Sequence, residues 1–312
     1  MQEVLNYLPE KIQDKIRENS ADKLDKIEEI RLRLERPIIL KYADGEKVIK
    51  YSVNLEEVIS CLQAICENSI YTYQNQIAEG FVTIKGGHRV GISGSGVMEN
   101  GKIININHIY SLNFRIARQV IGSGNKILKY ILDVDRNNIY NTLIVSSPGA
   151  GKTTIIRDII RQISTGIKEI KFLAINVGVV DERGEIASLF RGIPQNEIGI
   201  KTDVIDNVPK HLGMKMLIRS MTPKVIVADE IGSNEDIEAI KYAICSGCRG
   251  LFTAHGSNFE DISLNPIIKN LIATNIIERI IFLDEENKGK IKDVFSLNKK
   301  NGEYERSVDK IW

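Results

Sequence analysis

The chain has 312 residues, of which 43% are hydrophobic, and a formal net charge of +1 at neutral pH. This length and composition predict two domains with a sizeable buried core, and the balanced charge gives no overall argument for nucleic-acid binding. Because no apolar run approaches about eighteen residues and the first residues lack a basic and then apolar leader, we expect no membrane span and no signal peptide, and hence a cytoplasmic protein.

The first 120 residues alternate strand-like segments with one helical segment and carry no nucleotide-binding motif. Asn54 is the predicted N-cap of a helix that runs to Tyr71, because Glu56 and Glu57 favour its first turn. Glycines typical of hairpin turns occur at 86, 87, 91, 94, 96 and 101. The strand-like segments are 29–34, 38–42, 81–84, 88–92, 103–106 and 113–117. These features predict an α+β domain over residues 1–120, a linker at 121–125 and a second domain over residues 121–312.

An apolar strand, a loop of small residues and a helix follow one another at 139–154. A phosphate-binding P-loop requires this order, because the loop N–H groups and the helix dipole then face the phosphates. Lys152 adds a full positive charge, and the hydroxyl of Thr153 is placed to bind Mg²⁺. The usual first glycine is replaced by Ser146, and an isolated Gly-Lys-Thr would equally fit an ordinary turn with an exposed lysine.

The flanking strand and helix favour the P-loop interpretation. The predicted nucleotide-binding residues are Ser147, Pro148, Gly149, Ala150, Gly151, Lys152, Thr153 and Thr154.

Acidic residues follow two further apolar strands. The strand at 172–180 leads into Asp181 and Glu182, and the strand at 224–228 leads into Asp229 and Glu230. In P-loop ATPases the second of these strands carries the Walker B motif, and we expect it beside the P-loop strand. Asp229 is then a predicted Mg²⁺ partner and Glu230 the predicted catalytic base. A solvated acidic turn is the alternative for an isolated motif of this kind.

A strand at 251–254 leads into His255. Ligands of parallel α/β sheets lie beyond the carboxyl ends of the strands, so polar residues at those ends collect in one crevice. Glu182 and His255 are therefore predicted to position water or to sense the γ-phosphate. A structural role is the alternative for the histidine.

The four cysteines include one Cys-x-x-Cys pair, Cys245 and Cys248, with Cys61 and Cys66 far upstream. A zinc site requires two close pairs and a redox site requires a thioredoxin-like context, so we expect the thiols to pack as small apolar groups. After Asp284 charged and apolar residues alternate, which predicts antiparallel strands at an edge of the sheet.

Residues 212–258 resemble the secretion ATPases of type II and type IV systems. Those proteins carry a P-loop, an acidic Asp box, a Walker B strand and a His box in this order. Asp181-Glu182 match the acidic box, and Thr253–Ser257 match the His box. The one departure is Lys224, where secretion ATPases usually have aspartate after the proline.

The chain resembles most closely the stage III sporulation protein AA branch of this superfamily. Gly86-Gly-His-Arg-Val-Gly-Ile92 and Phe114-Arg-Ile-Ala-Arg118 carry this resemblance in the first domain. The matching segments of the second domain are 180–183, 192–196, 202–204, 217–223 and 229–232.

The resemblance implies a RecA-like α/β P-loop ATPase domain preceded by a smaller α+β N-terminal domain. It implies ATP and Mg²⁺ as ligands and a homo-oligomeric ring, expected to be a hexamer. The implied partner is a membrane-spanning channel between mother cell and forespore, with which a cytoplasmic ATPase would associate peripherally. In secretion ATPases the N-terminal domain lends arginines to the nucleotide, so Arg89 and Arg115 are candidate catalytic residues. Surface cations on a β module are the alternative.

Two other functions fit the same motifs. One is a nucleic-acid-stimulated motor, in which residues 86–89 and nearby lysines grip RNA or DNA and binding weakens with salt. The other is a nucleotide-switched scaffold with little turnover, which an ATPase assay would distinguish.

Overall fold

The computed structural model describes residues 1–307, which form two compact units. The first unit contains Met1–Arg118 together with Ser188–Gln195, and the second contains Gln119–Ala187 and residues 196–307. The chain therefore passes between the units after residues 118, 187 and 195. The predicted border lies at residue 120, and no local feature of the sequence indicates that residues 188–195 belong to the first unit.

The first unit is an antiparallel sheet with helices. Its strands are β1 (Glu29–Arg33), β2 (Pro37–Tyr42), β3 (Gly45–Ser52), β4 (Phe81–Ile84), β5 (His88–Glu99) and β6 (Lys102–Arg115). Its helices are α1 (Gln2–Leu5), α2 (Glu10–Ser20), α3 (Leu55–Ile65) and α4 (Gln74–Ala78), with short 3₁₀ turns at Ala21–Lys26 and Ile70–Tyr73. The strand order is β3-β2-β1-β6-β5-β4, and every pair is antiparallel.

One face of this sheet is apolar and covered, and the other carries charge. Ile30 pairs with Phe114, which pairs with Val90, and all three side chains lie in the hydrophobic core with residues of the four helices. Because side chains alternate along a strand, the neighbouring positions face the other way. There Arg115 lies between Glu29 and Arg89 in register, so these two arginines are cross-strand neighbours.

Several boundaries in the first unit differ from the predicted ones. The predicted strand at 103–106 and residues 113–115 of the predicted strand at 113–117 are parts of β6, and β3 was not predicted. The helix after Asn54 has the predicted N-cap, and the structure adds a capping box with Glu57. The helix ends at Ile65 because Glu67 and Asn68 adopt left-handed backbone angles, with φ of 50° and 61°. The glycines at 91, 94 and 96 lie within β5 rather than in turns.

The second unit alternates strands and helices. In chain order its elements are α5 (Asn125–Ile131), β7 (Leu132–Asp133), β8 (Asn138–Ile139), β9 (Thr142–Ser146), α6 (Lys152–Thr165) and β10 (Val177–Asp181). The short strands β11 (Leu189–Phe190) and β12 (Ile193–Pro194) follow, within the segment that belongs to the first unit. The remaining elements are β13 (Thr202–Asp206), α7 (Lys210–Met221), β14 (Val225–Ala228), α8 (Asn234–Cys245), β15 (Arg249–His255), α9 (Phe259–Leu264), α10 (Pro266–Ala273), β16 (Arg279–Leu283), β17 (Ile291–Asn298) and β18 (Glu303–Arg306).

Eight of these strands form one sheet in the order β13-β10-β14-β15-β9-β16-β17-β18. The pairs from β13 to β16 are parallel, and β17 and β18 are antiparallel at the edge, as the alternation after Asp284 predicts. Helix α6 buries Ile155, Ile159 and Ile163, which are spaced to share one face. Burial of each such side chain stabilises the fold by about 1.5–3 kcal/mol.

The strand order corrects one expectation. The Walker B strand β14 does not lie beside the P-loop strand β9, because β15 pairs with both of them. Two registers, Val225 with Arg249 and Leu251 with Thr142, fix this arrangement. As a result the end of β15, with Thr253 and His255, lies between the P-loop and the Walker B acids.

The cysteines are free thiols, and Cys61, Cys66 and Cys248 are buried whereas Cys245 is exposed. Burial raises the pKa of Cys61 to about 12 and that of Cys66 to about 11, so both thiols are protonated at neutral pH. Within residues 1–307 no group of three or more His, Cys, Asp or Glu side chains is arranged to hold a metal ion. Over the same residues no helix has both the length and the apolar character needed to cross a bilayer.

Candidate nucleotide-binding site

The loop between β9 and α6 has the backbone shape of a phosphate cradle. Strand β9 ends at Ser146 and helix α6 begins at Lys152. Gly149 and Gly151 have φ of 79° and 99°, a region where a side chain is strained. The Cβ position of Gly149 has nothing within 4 Å, so the conformation and not crowding requires glycine there. The first N–H groups of α6 have no partner within the helix and are available to an anion.

Lys152 is buried at the base of this loop. Its Nζ donates to the carbonyl oxygens of Ser146 at 2.6 Å and Ser147 at 3.2 Å, and it lies 3.2 Å from Nδ1 of His255. Burial lowers the pKa of Lys152, while Asp229 and Glu230 oppose this shift. The loop thus satisfies its own lysine, with carbonyl oxygens in the role that phosphate oxygens would take.

Asp229 is joined to the P-loop through Thr153. The Thr153 hydroxyl donates to Oδ2 of Asp229 at 2.7 Å, and the Thr253 hydroxyl donates to Oδ1. Thr253 also accepts from the backbone N–H of Glu230 at 2.7 Å. A hydroxyl and a carboxylate in contact are hard oxygen ligands of the kind that Mg²⁺ takes beside phosphate oxygens.

Glu230 is held by a cation and by a histidine. Its backbone φ of 55° is left-handed, which is unusual for a residue with a side chain. One carboxylate oxygen lies 2.5 Å from Nη1 of Arg183, and the other lies 3.1 Å from Nε2 of His255. An ammonium only donates hydrogen bonds, so Nδ1 of His255 accepts from Lys152 and Nε2 carries the proton that faces Glu230. Lys152, His255 and Glu230 therefore form one continuous chain of contacts.

The two carboxylates of the acidic box have different partners. Asp181 is buried and accepts from the backbone N–H groups of Glu185, Ile186 and Ala187, so it shapes the turn after β10. Glu182 pairs with Lys210 at the start of α7. Both side chains line a small cleft, together with Arg183, Glu185, Asp229 and Glu230.

A protein family described as "Sporulation stage III, protein AA" matches residues 1–303. The stage III sporulation protein AA of Bacillus subtilis (strain 168) is 37% identical over 296 residues, which make up 95% of each chain. The chain belongs to the sporulation stage III protein AA family. The predicted resemblance is thereby confirmed.

Two solved structures share the fold of this chain. The Legionella pneumophila ATPase DotB has a TM-score of 0.58 at 13% identity, covering 93% of this chain and 82% of DotB. The pilus retraction motor PilT, solved with bound ADP, has a TM-score of 0.57 at 15% identity, covering 86% of this chain and 76% of PilT. Identities this low establish the fold alone. The structural matches confirm the predicted fold class, a RecA-like α/β domain preceded by a smaller α+β domain.

The structure brings most of the predicted site residues of this family member together. Residues 147–154 form the loop and the start of α6, and Asp229, Glu230 and His255 meet beside it. Glu182 lines the same cleft but contacts Lys210. These positions are what the parallel sheet imposes on polar residues at the strand ends.

Arg89 and Arg115 lie on the sheet of the first unit. The Arg89 guanidinium stacks on Phe81 at 4.1 Å from the ring centre, and Arg115 is exposed. Their contribution to a nucleotide stays a prediction. Arg118 lies beyond the end of β6 and donates to the carbonyl oxygens of Asp25 and Ile27.

Four polar contacts at the site were not predicted. Thr253 and Arg183 occur in segments that the motifs cover, but nothing in the sequence pattern assigns them to Asp229 and Glu230. Glu285, in the loop between β16 and β17, accepts from the Ser147 hydroxyl, and the N–H of Gly289 donates to Ala150 at 3.2 Å. These last two contacts join segments more than 130 residues apart in sequence, so no local signal could reveal them.

Proposed function

We propose that this chain is a Mg²⁺-dependent ATPase that works as a ring-forming motor, most simply a hexamer. The observation that supports the proposal most strongly is the junction of Lys152, His255 and Glu230 beside the Thr153–Asp229 pair. This junction joins a phosphate-binding loop to a carboxylate that can accept a proton.

The loop residues would bind the polyphosphate. Lys152 already lies where its ammonium reaches two carbonyl oxygens of the loop, and charged phosphate oxygens are stronger acceptors than carbonyls. Because Gly149 and Gly151 have no side chains, a phosphate can come close to the backbone of the loop. The dipole of α6 favours negative charge at the N-terminus of this helix. These features fit a nucleoside triphosphate.

Thr153 and Asp229 would hold the metal ion. Because the described residues contain no complete protein-built metal cluster, part of the coordination would come from the nucleotide, as is usual for Mg²⁺. A bound Mg²⁺ would offset negative charge on the phosphate oxygens during transfer. Asp229 is kept in place by hydroxyls on both carboxylate oxygens, from Thr153 and Thr253.

Glu230 is the proposed base. The oxygen of a water molecule attacks the γ-phosphorus, its proton passes to the Glu230 carboxylate, and the bond from that phosphorus to the β–γ bridging oxygen breaks. The products are ADP and phosphate. His255 contacts one oxygen of Glu230 and also contacts Lys152. When phosphate replaces the present partners of Lys152, a shift of the lysine would therefore move His255 and, through it, Glu230.

A cytoplasmic motor for a membrane-spanning channel complex during endospore formation is the proposed cellular role. The Bacillus subtilis relative is named as a stage III sporulation protein, and PilT, which shares the fold, is named as a retraction motor. In a ring of this type Arg89 or Arg115 would act on a nucleotide as transition-state charge develops. Conformational change driven by hydrolysis would then act on the channel proteins.

A phosphate-release assay with purified protein tests this proposal. We expect Mg²⁺-dependent ATP hydrolysis whose rate per subunit rises with protein concentration and is insensitive to added single-stranded RNA or DNA. Absence of hydrolysis at every concentration, with tight nucleotide binding retained, would instead support a nucleotide-switched scaffold. Strong stimulation by single strands would support the nucleic-acid motor.

A further inference from the structure

Arg183 contacts the proposed catalytic base, although the motifs assign it no role. Its Nη1 lies 2.5 Å from Oε2 of Glu230, and His255 holds the other oxygen of the same carboxylate. Both carboxylate oxygens thus have a side-chain donor. In this arrangement the guanidinium occupies the oxygen of Glu230 that His255 does not contact, so an attacking water would meet no oxygen of this carboxylate without a side-chain donor.

The loop that carries Arg183 is firmly fixed at its base. Arg157, on the P-loop helix α6, donates to the carbonyl oxygens of Glu185 at 2.6 Å and Ile186 at 2.8 Å. Asp181 accepts from the backbone N–H groups that follow. The position of Arg183 relative to the P-loop is therefore defined by contacts that do not involve its own side chain.

The side chain of Arg183 can rotate without disturbing the contacts that hold its loop in place. It is 65% exposed, whereas the Glu230 side chain is 25% exposed. The next residue, Gly184, has φ of 63°, so the chain turns directly after Arg183. Because glycine has no side chain, residue 184 places no side chain beside that of Arg183. Rotation of the guanidinium would break its ion pair with Glu230 and would leave the contacts of Arg157 and Asp181 with the loop backbone intact.

A second cation in the same cleft is much less suited to such movement. Lys210 is paired with Glu182, and its side chain is only 14% exposed. Arg183 also has the planar guanidinium that matches phosphate oxygens by two parallel hydrogen bonds, which an ammonium cannot do.

We propose that Arg183 reads the γ-phosphate: it holds Glu230 in the nucleotide-free chain and moves to the γ-phosphate when ATP is bound. The transfer releases one oxygen of Glu230 to accept the proton of the attacking water. ADP has no γ-phosphate, so it leaves Arg183 on Glu230. This inference rests on the proposed ATPase function and adds the residue that distinguishes ATP from ADP.

Calorimetric titrations of ADP and of the non-hydrolysable analogue AMP-PNP, each with Mg²⁺, test the inference in the parent, Arg183→Gln and Arg183→Lys proteins. Loss of a charge-assisted hydrogen bond predicts that Arg183→Gln binds AMP-PNP about tenfold more weakly or worse. Its ADP affinity should stay within about twofold of the parent, because ADP never engages the side chain. The affinity of Arg183→Lys for AMP-PNP should lie between that of the parent and that of Arg183→Gln.

Arg136→Gln is the matched control, because Arg136 is 71% exposed and pairs with Asp133 three residues earlier, at 3.4 Å. It should leave both affinities unchanged, and thermal melting of all variants checks folding. Equal loss of ADP and AMP-PNP affinity in Arg183→Gln, or no loss of either, would overturn the role of Arg183. A parent protein that binds neither nucleotide would overturn the proposed function itself.

Discussion

Glu230→Gln separates nucleotide binding from hydrolysis. The change keeps the size of the side chain but removes its charge and its ability to accept a proton. The amide oxygen can still accept from Arg183, but the amide NH₂ would then face Nε2–H of His255, so one contact is lost. Because the side chain is part-exposed, we expect a loss of folding stability of only about 1 kcal/mol.

Loss of the base should slow turnover by about 10²- to 10⁴-fold, which corresponds to about 3–5 kcal/mol of transition-state free energy. Affinity for ATP should stay within about threefold of the parent, because Lys152 and the loop are unchanged. Single-turnover phosphate release and calorimetric titration measure the two quantities separately.

Glu238→Gln is the control for this experiment, since Glu238 lies on the next helix, is 67% exposed and pairs with Lys241 three residues later, at 2.8 Å. It should leave turnover unchanged. Undiminished hydrolysis by Glu230→Gln would refute the role of Glu230 and would assign the catalytic base to Glu182, which lines the same cleft.

Three further predictions concern the metal ion, the loop between β16 and β17 that contacts the P-loop, and the ring. Asp229→Asn should raise the Mg²⁺ concentration needed for half-maximal hydrolysis about tenfold or more, and an unchanged Mg²⁺ titration would contradict the metal assignment. Glu285→Gln removes a negative charge that contacts Ser147 and would repel the phosphates of ATP, so it should tighten ATP binding severalfold at low salt. Glu286→Gln is the control and should not change the affinity. Equal affinities of the parent and both variants for ATP would contradict a repulsion between Glu285 and the nucleotide. Arg115→Ala should bind ATP normally and hydrolyse it slowly, and mixing it with Lys152→Ala should restore some activity. Arg36→Ala, an exposed arginine in a turn, is the control, and a lack of rescue together with a rate independent of protein concentration would contradict a shared site.

The local elements of the second unit were the most predictable part of the molecule. Apolar runs ending in polar residues identify β9, β14 and β15, because a strand buried on both faces is apolar throughout. Their spatial order was not predictable in the same way. Which strand pairs with which is a long-range choice, and nothing near Val225 or Thr142 shows that β15 separates them.

Edges and exposed contacts were the least predictable. Strand β3 is at the edge of its sheet, and Gly45–Ser52 has one buried position and several charges, so it lacks the alternation of a half-buried strand. The contact of Arg183 with Glu230 joins two loops through flexible, partly exposed side chains. Sequence periodicity carries no information about such a pair.

The most direct test of the account is a calorimetric titration of Mg·ATP into the parent and Lys152→Ala proteins. Lys152 is the ammonium around which Ser146, Ser147 and His255 are gathered, and a triphosphate would take their place. We predict that the parent binds ATP and that Lys152→Ala loses tight binding while it remains folded, with exposed Lys168→Ala as the unaffected control. Equal affinity of the parent and Lys152→Ala for ATP would contradict the assignment of residues 147–154 as the nucleotide-binding loop.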